Sequence, residues 1–108
     1  MTHFINTTPH AIHDLESDTV FPPNKEFEIR VTYSRKLVST ALFNDKGIAM
    51  YRKTFGELSF TPPVQDRVFY IVSLLVKQAR PDRTDFISPS DQVRDANGVI
   101  IGCKGFDV

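Results

Sequence analysis

Few side chains in this sequence could do chemistry, and they cluster. His10 and His13 with Asp14, and His3 as a third imidazole, place metal-ligand types within a dozen residues. On a strand, residues 10 and 13 point to opposite faces, whereas 3 and 13 share a parity. A three-residue offset suits a helix or loop, but Pro9 and the alternating apolar residues disfavour a helix. No metal site is expected. His10 itself has two readings: a turn residue whose ring bonds to backbone, or a ligand contact and acid–base group. Arg94 could then serve as the electrophilic stabiliser of a small enzyme.

Cys103 would need a base or a positive field to act as a nucleophile, and Lys104 stands beside it. By parity it continues the face of Val99 and Ile101, so it reads as a small core residue. No G-x-S-x-G, S-x-x-K or H-E-x-x-H string is present. Phosphate-loop and dinucleotide glycine patterns are missing too, and five Gly leave little room for one. No cofactor is expected, and binding is favoured over catalysis. Glu57, Asp66, Asp82, Asp85, Asp91 and Asp95 could pair in space, with Asp91 to Asp95 serving turns and caps.

The elements that must position these residues follow from periodicity. Phe27, Ile29, Val31 and Tyr33 alternate with polar neighbours, predicting a strand with one buried face. A second strand is predicted from Ile48 to Phe60, with the turn at Asn44-Asp45-Lys46-Gly47 before it and a bulge or bend at Gly56. Val68-Phe69-Tyr70-Ile71-Val72 is apolar throughout, as a central strand covered on both faces would be. Ser73 can cap a short helix over about 73–80, which Pro81 ends. Asn97-Gly98 predicts a C-terminal hairpin with a type I′ turn, Ala96 opposite Val99 and Arg94 opposite Ile101. Phe4-Ile5 and Ala11-Ile12 flank Pro9 as an interrupted or edge strand. The expected fold is α+β, mostly β: five to seven strands in a mixed or antiparallel sheet and one short helix. Residues 1–108 are expected to form a single domain.

Composition bounds the function. The chain has 108 residues, 13 basic and 13 acidic side chains and one Cys, with 41% hydrophobic and 24% charged residues. Those are globular values, and one Cys excludes an internal disulfide framework. No run approaches a membrane span and no secretory h-region opens the chain, so a cytoplasmic location, away from membranes, is expected. Net zero conceals a pattern. Residues 1–29 sum to −4, residues 30–53 to +5 and the remainder to −1. The basic middle is either a solvated face or a docking surface for phosphate or an acidic partner. Tyr33, Arg35-Lys36 and Tyr51-Arg52-Lys53 interleave aromatics with cations, as a single-strand stacking surface would. Tyr33 and Tyr51 also fit core faces, and neutral total charge disfavours nucleic acid as partner. A nucleic-acid surface would require Arg35, Lys36, Arg52 and Lys53 on one contiguous face.

Three strings carry a resemblance: Asn6-Thr7-Thr8-Pro9-His10, Tyr70-Ile71-Val72-Ser73, and Ser88-Pro89 with Val93-Arg94-Asp95 and Gly98-Val99-Ile100-Ile101-Gly102-Cys103. In this order the chain resembles small uncharacterised proteins of phages, prophages and actinobacteria that open with an Asn-Leu-Thr-Pro-His-like motif. Here Thr7 stands where those proteins usually carry an aliphatic residue. The resemblance implies a context, not an activity. A phage-type accessory protein of this size is expected to act by binding, as an inhibitor or modulator of a host protein, including a defence factor, or by sequestering a small anionic ligand. Thr8, His10, Ser73, Arg94 and Asp95 are the candidate binding residues. Arg35, Lys36, Arg52 and Lys53 are the candidate anion or partner surface. Self-association is expected because a β-rich domain this small has edges to protect. A small enzyme with a His/Arg site, a nucleic-acid binder and a phage assembly component are the alternatives.

Overall fold

A computed structural model describes all residues from Met1 to Val108. The chain is α+β and mostly β, with ten strands and one α-helix. The count exceeds the expected five to seven because several strands are only two or three residues long. The principal sheet joins β1 (His3–Asn6), β6 (Val68–Ile71), β7 (Phe86–Pro89) and β10 (Phe106–Asp107), in the order β1-β6-β7-β10. It is mixed: β1 and β7 run parallel to β6, and β10 runs antiparallel to β7.

The apolar Val68–Val72 run occupies the centre of the sheet, as its composition requires. Tyr70, Ile71, Val72 and Phe86 are fully buried there, joined by Val76 of α1 (Leu74–Ala79) and by Ile29. Ser73 caps α1, its hydroxyl accepting from Val76 N. The loop before β7 is fixed by the Arg83–Asp85 pair, whose side chains are only 9% and 12% exposed. Arg83 donates twice to Asp85, once to the Pro62 carbonyl, and lies 4.5 Å from the Phe86 ring centroid. The Tyr70 hydroxyl donates to the Pro63 carbonyl at 2.8 Å. Both contacts tie segment 61–64 to the core.

Two small antiparallel pairs flank the sheet, β2 (Ile12–Asp14) with β3 (Thr19–Phe21) and β8 (Val93–Arg94) with β9 (Ile100–Gly102). Cys103 is buried, as its parity suggests, but Val99 and Ile101 are half exposed, so the face they share is not core. The tight C-terminal turn differs from expectation. Among its residues only Gly98 has positive φ, and Arg94 pairs with Ile100 across an irregular register. Asp95 decides this: its Oδ1 accepts from Asn97 N and Val99 N, and its carbonyl accepts from Gly98 N. That bonding builds a three-residue loop with glycine in the left-handed region, not the two-residue type I′ turn.

The largest departure lies in β4 (Val31–Phe43) and β5 (Lys46–Leu58), which pair only with each other. Phe27 sits in a 3-10 turn, Lys25–Phe27, and Ile29 is buried, so the alternation that begins there marks the anchor of the ribbon. Beyond it the ribbon leaves the body. Thirteen-residue strands reach about 40 Å. The radius of gyration is accordingly 17.0 Å, against about 13 Å for a compact domain of this length. Asn44 and Asp45 turn the tip with φ of 49° and 60°, the pair of positive values that a two-residue hairpin needs. Gly56 stands at the irregularity near the base, where a Cβ would come within 2.5 Å of Thr32 Oγ1. Tyr33 and Tyr51 are about half exposed, which overturns their placement on core faces. No body lies under this ribbon for them to pack on.

Candidate functional site

The candidate residues separate into three places. Thr8, His10 and Ser73 line one cleft of about 540 Å³ with Pro9, Ser88, Asp91 and Asp107. Arg94 and Asp95 lie outside it, at the tip of the C-terminal hairpin. Arg35, Lys36, Arg52 and Lys53 lie on the β4–β5 arm.

The Asn6–His10 string owes its form to Asn6, which is buried at 2% exposure. Its amide donates to the carbonyls of His10 (2.7 Å) and Phe21 (2.9 Å), while its Oδ1 accepts from Thr8 N (3.0 Å) and Thr8 Oγ1 (2.6 Å). All four bonding positions of the amide are therefore filled. Thr7 is buried beside it and donates to the Ile71 carbonyl, fastening the turn to the central strand. A hydroxyl at this position is satisfied by that carbonyl, which accounts for Thr7. The sequence reading missed Asn6; its offset of two to Thr8, typical of an Asx turn, was the signal available.

This network fixes what each candidate can do. The hydroxyl of Thr8 is engaged by Asn6 and the His10 carbonyl. Ser73 caps α1. The Arg94 guanidinium donates to the Gly98 carbonyl, and Asp95 holds the same turn. His10 is braced through its carbonyl, not through its ring, and the ring makes no hydrogen bond within the chain. Of the five candidate binding residues, His10 alone presents an uncommitted functional group to the cleft. His10 and Arg94 do not meet in one pocket of this chain.

A second depression of about 580 Å³ adjoins the first through Leu74, Ser88 and Asp107, which line both. Lys77 and Arg83 line it; Arg83 is paired with Asp85, whereas Lys77 has no ion-pair partner. The two together form a trough with Lys77 toward one end and His10 and Asp91 toward the other.

The remaining reactive types are also accounted for. His13 Nε2 bonds Asp18 Oδ1 at 2.8 Å. Burial, and then the Asp14 charge, push the Cys103 thiol above its ordinary value, the opposite of what a nucleophile requires. Asp14 is held below the usual carboxylate range, first by the Ser17 hydroxyl and then by Gly105 N–H. It therefore serves as a brace between β2 and the C-terminal segment.

The arm register distributes the basic residues. Arg35 pairs with Lys53 and Lys36 with Arg52, so the first pair is on one face and the second on the other. The four do not form the single contiguous face that a nucleic-acid surface would require. Arg35 lies 4.0 Å from the Tyr51 centroid and Lys53 lies 5.2 Å from that of Tyr33. Both rings are already covered by cations and are not free stacking platforms. Comparison with protein-family models, with curated proteins and with solved structures returns no match, so function has to be read from this geometry.

Proposed function

We propose that the chain is a phage-type accessory protein that acts by binding and not by turnover, sequestering a small anionic ligand in the trough between the Asn6–His10 turn, α1 and β10. The observation that carries this reading is the trough itself. Each half has the few-hundred-Å³ size of a small-molecule site. Its walls are fixed by filled hydrogen bonds, so little ordering entropy is lost on binding. The anionic group of the ligand belongs beside Lys77, and its uncharged polar part beside His10. The Asp91 carboxylate disfavours a second negative charge near the His10 end, and Asp107, which lines both halves, separates that end from Lys77.

Native mass spectrometry of protein purified from its host cytoplasm tests this. The expected spectrum shows a bound small molecule that is lost in Lys77→Glu and weakened about tenfold in His10→Ala, with folding unchanged. Only bare chain, from protein purified without denaturation, would overturn the proposal. Docking on a host protein is the second reading, and the exposed apolar arm is the observation that favours it.

A further inference from the structure

The β4–β5 arm carries more exposed apolar surface than a free ribbon can hold in water. Tyr33, Leu37, Val38, Leu42, Phe43, Ile48, Met50 and Tyr51 are each between 47% and 80% exposed. The three aromatic side chains among them, at roughly 150–250 Å² each when fully exposed, present on the order of 250–400 Å² by themselves, to which the aliphatic side chains and Met50 add. The largest patch on an ordinary monomer is about 300–600 Å², and one partner of a standard interface contributes about 800 Å². The register spreads these side chains over both faces, with Leu37, Leu42 and Tyr51 on one and Phe43, Ile48 and Met50 on the other. No residue of the arm is buried. A lone two-stranded ribbon is marginally stable at best in water.

Charge names the cover. Residues 31–58 hold five basic side chains (Arg35, Lys36, Lys46, Arg52, Lys53) against Asp45 and Glu57, a surplus of three positive charges. The rest of the chain holds eight basic and eleven acidic side chains, a surplus of three negative charges. None of the five arm cations is in an ion pair. Glu16, Glu26, Asp66 and Asp91 of the body are likewise unpaired. A twofold axis would bring the arm of each copy onto the body of the other and cancel both surpluses in one isologous contact. We propose that the β4–β5 arm is a self-association element, each arm lying on the acidic body of a second copy of this chain. This inference is independent of the trough and of any ligand there.

The test measures the mass of the full chain by sedimentation and light scattering over 0.1–100 µM, with a carbodiimide to join lysines to carboxylates. The expected result is a dimer or a multiple of it, with inter-chain links from Lys46 or Lys53 to body carboxylates. Leu42→Lys with Phe43→Glu changes only side chains that are 80% and 68% exposed, so the chain stays folded. It should weaken association at least 100-fold. A wild-type chain that stays monomeric throughout, or a variant that associates as tightly as wild type, overturns the proposal. So do links confined to arm–arm pairs, which would place a different surface under the ribbon.

Discussion

The body and the arm of this chain solve the problem of stability in different ways. The body has few buried residues, 15 of 108, and compensates with polar contacts that are all satisfied. Asn6, Thr7 and the Arg83–Asp85 pair are buried with every bond made, and they fix the loops around a small apolar centre. The arm has no buried residue, and its polar contacts are local: the Ser34–Thr54 hydroxyl pair and two cation–π contacts. Backbone pairing and these few cross-strand contacts are all that join its strands, and most of its apolar side chains remain exposed for contact elsewhere. The body also exposes apolar side chains, Val64, Leu74 and Val99 among them, but it has a bonded interior; the arm has no interior at all.

Four substitutions test this contrast. The largest effect is expected at Asp85. Asp85→Ala leaves the Arg83 charge buried without its partner, which costs about 3–5 kcal/mol, much of the 5–15 kcal/mol of a typical domain. Denaturant unfolding should show the midpoint of the body falling accordingly. Asn6→Ala is next: it removes four hydrogen bonds and takes the amide donor from the Phe21 carbonyl, an expected loss of about 2–3 kcal/mol. The same measurement reads it, and ligand retention should fall because the trough wall loses its brace.

Asp14 gives a pH effect. Its folded pKa is below the unfolded one, so its contribution is full above the unfolded value near 4 and is lost as pH falls through the folded value. Thermal unfolding between about pH 2 and pH 5 should show wild type losing stability on acidification, and Asp14→Asn losing less over that window. The smallest effect on stability is expected at the arm tip. Leu42→Lys should change the unfolding free energy of the separated chain by no more than about 0.5 kcal/mol, while loosening its association.

How much of this was legible in the sequence depends on whether a signal was local. The Val68–Val72 run, the Ser73 cap and the Asn44-Asp45 turn follow from residue type and near neighbours, and they are where expected. The Asn97-Gly98 turn was local too, but a carboxylate two residues earlier competed for its backbone donors and changed its type. The Thr8, His10 and Ser73 strings were visible, yet the bonds that commit Thr8 and Ser73 to bracing were not. The arm was the least legible part. Its alternating pattern is that of any half-buried strand, and nothing in Phe27 to Tyr33 indicates that the buried face ends at Val31. Periodicity reports that one face is apolar; it does not report what covers that face.

On the proposal above, the body is ordered by its own contacts and the arm by a second copy. Amide hydrogen exchange of the full chain, measured at 100 µM and again below the dissociation midpoint, tests it most directly. Amides of 33–56 should be protected at the higher concentration and exchange quickly at the lower. Those of 68–72 and 86–88 should stay protected in both. Protection of the arm that is the same at both concentrations, and the same in Leu42→Lys with Phe43→Glu, would contradict it.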